Sequence, residues 1–165
     1  ERRRFAQVSH EYLIEQLQYQ SLGTSKINEL NFNHPVKELI WKLDPDGADN
    51  MNQLEMNSEY SFHLTLNGHD RFSKRYTKYF THAQVWQHHT GGVFGNGTDG
   101  GGVIAVYSFA LKPEEHQPSG TCNFSRIDNA QLVCSNELDS TGTIYAVNYN
   151  VLRIMSGMGG LAYSN

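Results

Sequence analysis

The chain has 165 residues, 38% of them hydrophobic and 18% charged, with a net charge of -4 and a pI near 6.0. That length sets one domain with a sizeable core, and the acidic balance argues against a surface that coats nucleic acid. No apolar run approaches the roughly 20 residues of a membrane-spanning helix; the opening ERRRFAQ lacks the apolar centre of a signal peptide, and the missing initial Met predicts a piece of a longer chain.

Arg2, Arg3 and Arg4 read as a solvated terminus. Residues 8–20 (VSHEYLIEQLQYQ) suit a helix by composition but also alternate, and their place at the head of an aromatic-rich, turn-rich chain predicts a strand. Residues 21–25 form a turn. Strands are predicted over 26–32 and 36–43, split by Asn33-His34-Pro35. In VKELIWKL, Lys37, Leu39, Trp41 and Leu43 form the face assigned to the core. Asp44-Pro45-Asp46-Gly47 signals a turn into an exposed loop that runs to about Asn57.

Residues 60–66 (YSFHLTL) alternate, with Tyr60, Phe62, Leu64 and Leu66 inward, and Asn67-Gly68 follows as a hairpin turn. Between 71 and 84, Phe72, Tyr76, Tyr79, Phe80 and Ala83 recur at three and four residues and predict a short helix. Residues 91–102 hold seven glycines in twelve positions and predict a flexible loop. Strands follow over 103–111, 121–127 and 131–134. The first two are separated by a corner with Pro113, Pro118 and Gly120 that can continue neither helix nor inner ladder. Residues 139–142 turn the chain into a long strand over 143–155, and the Gly-rich tail is expected to run along a neighbour. About eight antiparallel strands with one short helix predict an all-β jelly-roll sandwich occupying residues 1–165 as one domain.

Reactive constellations are weak. His82, His88 and His89 suggest a metal, but adjacent strand residues point to opposite faces, and no HExxH motif is present. His69-Asp70 has no nucleophile in a suitable turn beside it. Glu114, Glu115 and His116 sit in a Pro-bounded corner and read as a solvated turn. The glycine-rich loop lacks the Lys-Ser or Lys-Thr of a phosphate cradle. No catalytic residue, cofactor or metal ligand is assigned. Asn96, in the loop sequon Asn96-Gly97-Thr98, is the candidate glycosylation acceptor, whereas the sequon at Asn123 lies on a strand and reads as structural. Cys122 and Cys134 leave a disulfide between them open, but two buried thiols of a reducing compartment is the preferred reading.

FNHPVKELIW (32–41), LNGHDRF (66–72), YSFALKPEEHQPSGTCNFSRIDNA (107–130) and the ending GMGGLAYSN resemble the second half of the major capsid protein of nucleocytoplasmic large DNA viruses. The motifs stand in the family's order and span nearly the whole chain. The resemblance implies the C-terminal jelly roll of a double jelly-roll subunit, ending at the family's C terminus with the first jelly roll absent. It implies a structural, non-enzymatic protein whose homotrimers form pseudo-hexagonal capsomers of an icosahedral shell. The partners it implies are neighbouring capsomers and minor capsid proteins, without direct nucleic-acid contact or membrane insertion, in a virion assembled in the infected host cell. The glycine-rich insertion 91–102 departs from the compact connection expected there. The alternatives are a jelly-roll carbohydrate- or receptor-binding module using Trp86 and Tyr76 as a sugar platform, and a cupin-like metalloenzyme.

Overall fold

The computed structural model describes residues 1–44, 60–91 and 104–164. The turn expected at 44–47 and the loop after it, the glycine-rich loop and Asn96 lie wholly or mostly outside these residues. Eleven strands occupy the described part: β1 His10–Leu22, β2 Ile27–Glu29, β3 Pro35–Leu43, β4 Ser61–Leu66, β5 His69–Asp70, β6 Arg75–Tyr76, β7 Ala105–Ser108, β8 Cys122–Asn123, β9 Ala130–Cys134, β10 Gly142–Met155 and β11 Met158–Leu161. Sheet A runs β1-β10-β3-β7, with β11 on β10 and β8 on β3; sheet B runs β2-β9-β4-β5, with β6 on β4. All pairings are antiparallel. The chain crosses repeatedly between the sheets as it advances, the first strand pairs with the penultimate β10, and β2 pairs with β9. That nested winding is a jelly roll.

The ambiguous residues 8–20 are indeed extended. They pair with β10 from His10↔Ile154 to Leu22↔Gly142. The strand expected at 26–32 shrinks to three residues because glutamine side chains of β1 take the place of a partner strand. The Gln20 side chain donates to Glu29 O (2.6 Å) and accepts from Asn31 N (2.8 Å), while Gln18 accepts from Asn33 N (3.1 Å) and donates to Asn33 O (2.7 Å). The strand expected at 121–127 stops at Asn123, whose Oδ1 accepts from Ser125 N (3.1 Å) and caps a short 3-10 turn, Phe124–Arg126.

The helix expected over 71–84 forms later and differently. Arg75–Tyr76 is strand, Tyr79–Ala83 is a π-helical turn, and α2, Gln84–His88, completes it. Tyr76 is exposed, whereas Phe80 is buried at its register. Gln84 explains why this turn sits where it does. Its Oε1 accepts from Ser108 N on the sheet edge (3.1 Å) and its Nε2 donates to Tyr79 Oη (2.8 Å), so the helix covers an edge strand. A further helix, α1 Arg2–Gln7, has no buried residue and carries the three arginines into solvent.

The core lies between the sheets. Leu39, Trp41 and Leu43 point inward as expected, facing Tyr60, Phe62 and Leu64 of the other sheet. Lys37 does not join them, and Val36 is buried in the core instead. Val147 pairs with Glu38 but Asn148 with Val36, so Lys37 is an extra residue in β3 and the inward parity switches there.

The Asn67-Gly68 hairpin forms as predicted, with φ of 50° and 79°, the signature of a type I′ turn. Asn67 Oδ1 also accepts from Asp128 N (2.9 Å) and Asn129 N (3.0 Å), tying the hairpin to the segment before β9. Asn67→Gly, which keeps the turn but loses both acceptor contacts, is therefore expected to lower stability by about 1–2 kcal/mol in urea unfolding. An unchanged midpoint would show that water replaces these bonds without cost.

Candidate interaction surface

The residues first suspected of chemistry scatter. His69 and Asp70 are exposed in the β5 hairpin, where Asp70 lies 3.9 Å from His63. His82 shares a 2.8 Å hydrogen bond with Thr81, and His88 Nδ1 meets the Leu111 carbonyl at 3.0 Å. Among the described residues no group of three or more His, Cys, Asp or Glu side chains could hold a metal. Cys122 in sheet A and Cys134 in sheet B are both free; Cys134 is buried, whereas Cys122 is half-buried. Burial pushes both thiols above their usual range. Asn123 spends its side chain on the cap described above, and its sequon partner Ser125 accepts from His34 N (2.8 Å), in keeping with a structural role.

The corner that follows β7 is not simply solvated. Glu114 accepts from Thr90 N (3.1 Å) and Thr90 Oγ1 (2.7 Å) and meets His89 Nδ1 at 3.0 Å. Those Thr90 hydrogen bonds hold its carboxyl below the ordinary range. The other imidazole nitrogen of His89 lies 2.6 Å from Glu38 Oε2, and burial pushes the Glu38 carboxyl up, against the pull of His89. Sequence spacing could not reveal this trio, because its members lie 51 and 25 residues apart and meet only once sheet A is built.

The surface suited to binding lies at the other end of sheet A. β10 pairs with β3 only from Gly142 to Asn148, while its pairing with β1 continues to Ile154 and β11 joins from Leu152 to Met155. A three-stranded ribbon thus extends past β3. Successive strand residues point to opposite faces, yet all four residues of β11 are exposed, so both faces of the ribbon are open there. Tyr12, Leu13, Met155, Met158 and Leu161 are all exposed on it. The edge strand β1 continues the patch with Leu17 and with Tyr19, whose ring lies 6.3 Å from Tyr145 across the ladder. A long apolar edge of this kind invites association. Trp86, 81% exposed, and Tyr76, 69% exposed, add single aromatics outside this ribbon.

A family model described as large eukaryotic DNA virus major capsid protein matches residues 1–160. The major capsid protein of Pyramimonas orientalis virus is 55% identical, over all of this chain and 46% of its own length. That of Paramecium bursaria Chlorella virus 1 is 40% identical, over all of this chain and 51% of its own. A solved chain of the PBCV-1 virus capsid superposes with a TM-score of 0.77 at 35% identity, covering 99% of this chain and 54% of that one. The Faustovirus major capsid protein shares the fold at 11% identity, with a TM-score of 0.52, over 89% of this chain and 34% of that one. The chain spans about half the length of the curated relatives it matches. The sugar-platform alternative finds no support in them.

Proposed function

The chain belongs to the major capsid proteins of large eukaryotic DNA viruses, and on that premise we propose that it is a structural, non-enzymatic part of a virion capsid. Residues 1–165 form one jelly-roll domain, the second of two in the full subunit. Three subunits make a pseudo-hexagonal capsomer, and capsomers contact one another and minor capsid proteins to tile an icosahedral shell. The relatives' names and the family match support the capsid role.

The observation that carries assembly through this domain is the apolar ribbon of β1, β10 and β11, whose last strand is exposed along its whole length. Rings need contacts in which one patch meets a different patch on the neighbour, and an edge of tyrosine, leucine and methionine suits such contacts. Asn96 remains the proposed glycan acceptor on sequence grounds alone.

The test is the mass of the subunit expressed at the length of its relatives. Trimers are expected, and Met158→Asp with Leu161→Asp should weaken assembly at least tenfold while leaving the melting temperature within a few degrees. A wild-type subunit that stays monomeric at high concentration would overturn the reading. Peptide mass mapping across Asn96, before and after glycosidase treatment, tests that acceptor.

A further inference from the structure

The Glu38–His89–Glu114 trio has no part in the assembly reading, yet it brings two carboxylates onto one imidazole. It joins three separate pieces of chain: β3, the residue after α2, and the corner after β7. The side chains of Glu38, His89 and Glu114 are 6%, 18% and 39% exposed. Both ring nitrogens of His89 face carboxylate oxygens, at 2.6 and 3.0 Å. A neutral imidazole has one N–H and one bare lone pair. One of these two contacts would then set a lone pair against a carboxylate lone pair at hydrogen-bond distance.

We propose that the trio keeps a second proton at neutral pH, on the ring or shared with Glu38, and that this proton closes a pH-sensitive clasp between sheet A, the end of α2 and the corner. The neighbouring charges do not remove the need for it. Lys37 Nζ is committed to Glu15 Oε1 at 2.6 Å and stands over the Tyr149 ring, and it acts on Glu38 only through space. Lys112 pairs with Glu115 at 3.3 Å, and His116 with Glu15 at 3.6 Å. His88 faces the Leu111 carbonyl. Among the described residues, His89 is the one cationic group placed between the two carboxylates.

The clasp weakens in both directions. A carboxyl raised by burial, as at Glu38, contributes stability that is full below its unfolded range and is lost as pH rises through its folded value. A carboxyl lowered by hydrogen bonds, as at Glu114, contributes above its unfolded range and loses that contribution as pH falls through the folded value. The protons belong to the coupled group and not to one residue.

The experiment is side-chain NMR of the 165-residue chain from pH 4 to 10, reading the two His89 nitrogens and the Glu38 carboxyl carbon. At pH 7 the expected result is two protonated ring nitrogens, or one with a protonated Glu38 carboxyl, and release of that proton in one alkaline step. Glu114→Gln, a partly exposed change that leaves the core untouched, should move the step down by about one pH unit. A neutral ring beside an ionised Glu38 at pH 7, or a step that Glu114→Gln leaves in place, would overturn the proposal.

Discussion

Trp41→Ala is expected to destabilise the domain by about 3–5 kcal/mol, the range for truncating a large buried aromatic. Trp41 is 1% exposed, on the inner face of β3. Its ring packs on Phe62 of sheet B at 5.6 Å and 66°, and on Phe80 of the π-helical turn at 5.1 Å. Phe80 in turn touches Phe62, Phe72 and Tyr79. One side chain thus joins both sheets and the connection that covers the β7 edge, so its loss opens a cavity between three elements that cannot all close onto it. Trp86→Ala is the internal comparison. That ring is 81% exposed, and its removal should shift stability by less than about 0.5 kcal/mol. Urea unfolding of both variants decides the matter, and a loss below about 1 kcal/mol for Trp41→Ala would mean that β3 presents its other face to the core.

The inner faces of β3 and β4 were legible because large apolar residues recur at every second position from Leu39 to Leu43 and from Tyr60 to Leu66. Leu39, Trp41 and Leu43 meet Phe62 and Leu64 as the period of two requires. The limit of that reading is Lys37. An inserted residue leaves no mark in composition, and the bulge shows only in the pairing of β3 with β10. The shortened β2 has a related cause. Gln18 and Gln20 alternate correctly for a strand, but nothing in their spacing says that their amides will serve as backbone partners for residues 29–33. Asn148 and Asn150 are polar yet fully buried, because Asn148 receives Gln18 and Asn150 Nδ2 donates to Gln16 and to the Tyr163 carbonyl. Polar side chains on facing strands hide their role until register is fixed. The exposed ribbon was foreshadowed only by a glycine-rich tail expected to run beside a neighbour. Its exposure depends on β10 outlasting β3, a matter of strand lengths that no single motif encodes.

Gly120→Ala is expected to cost about 2–4 kcal/mol, from a strained backbone and a backbone collision together. Gly120 has φ of +146°, where side-chain-bearing L residues rarely sit, and a Cβ there would lie 2.5 Å from the Phe109 carbonyl oxygen and 3.2 Å from Ala110 Cα. No rotamer relieves a contact with main chain. The segment it would displace is anchored, since Phe109 N and Ala110 N both donate to the carbonyl of the bulge residue Lys37, at 2.9 and 3.3 Å. The returning strand of the corner is pinned close by, where Lys112 N donates to Ser119 Oγ (3.0 Å). The methyl group must therefore push the corner away from β3. That corner carries Glu114 to His89 and His116 to Glu15, so the variant should also loosen both pairs, visible as faster amide exchange at Thr90, whose N–H is held by Glu114. Gly160→Ala is the matched comparison. A Cβ there meets nothing within 4 Å, and less than about 0.5 kcal/mol is expected. Equal losses for the two alanines would mean that the corner yields to a methyl group as readily as the open ribbon does, and that the Pro-bounded motif resembling the capsid family is not held by this close approach.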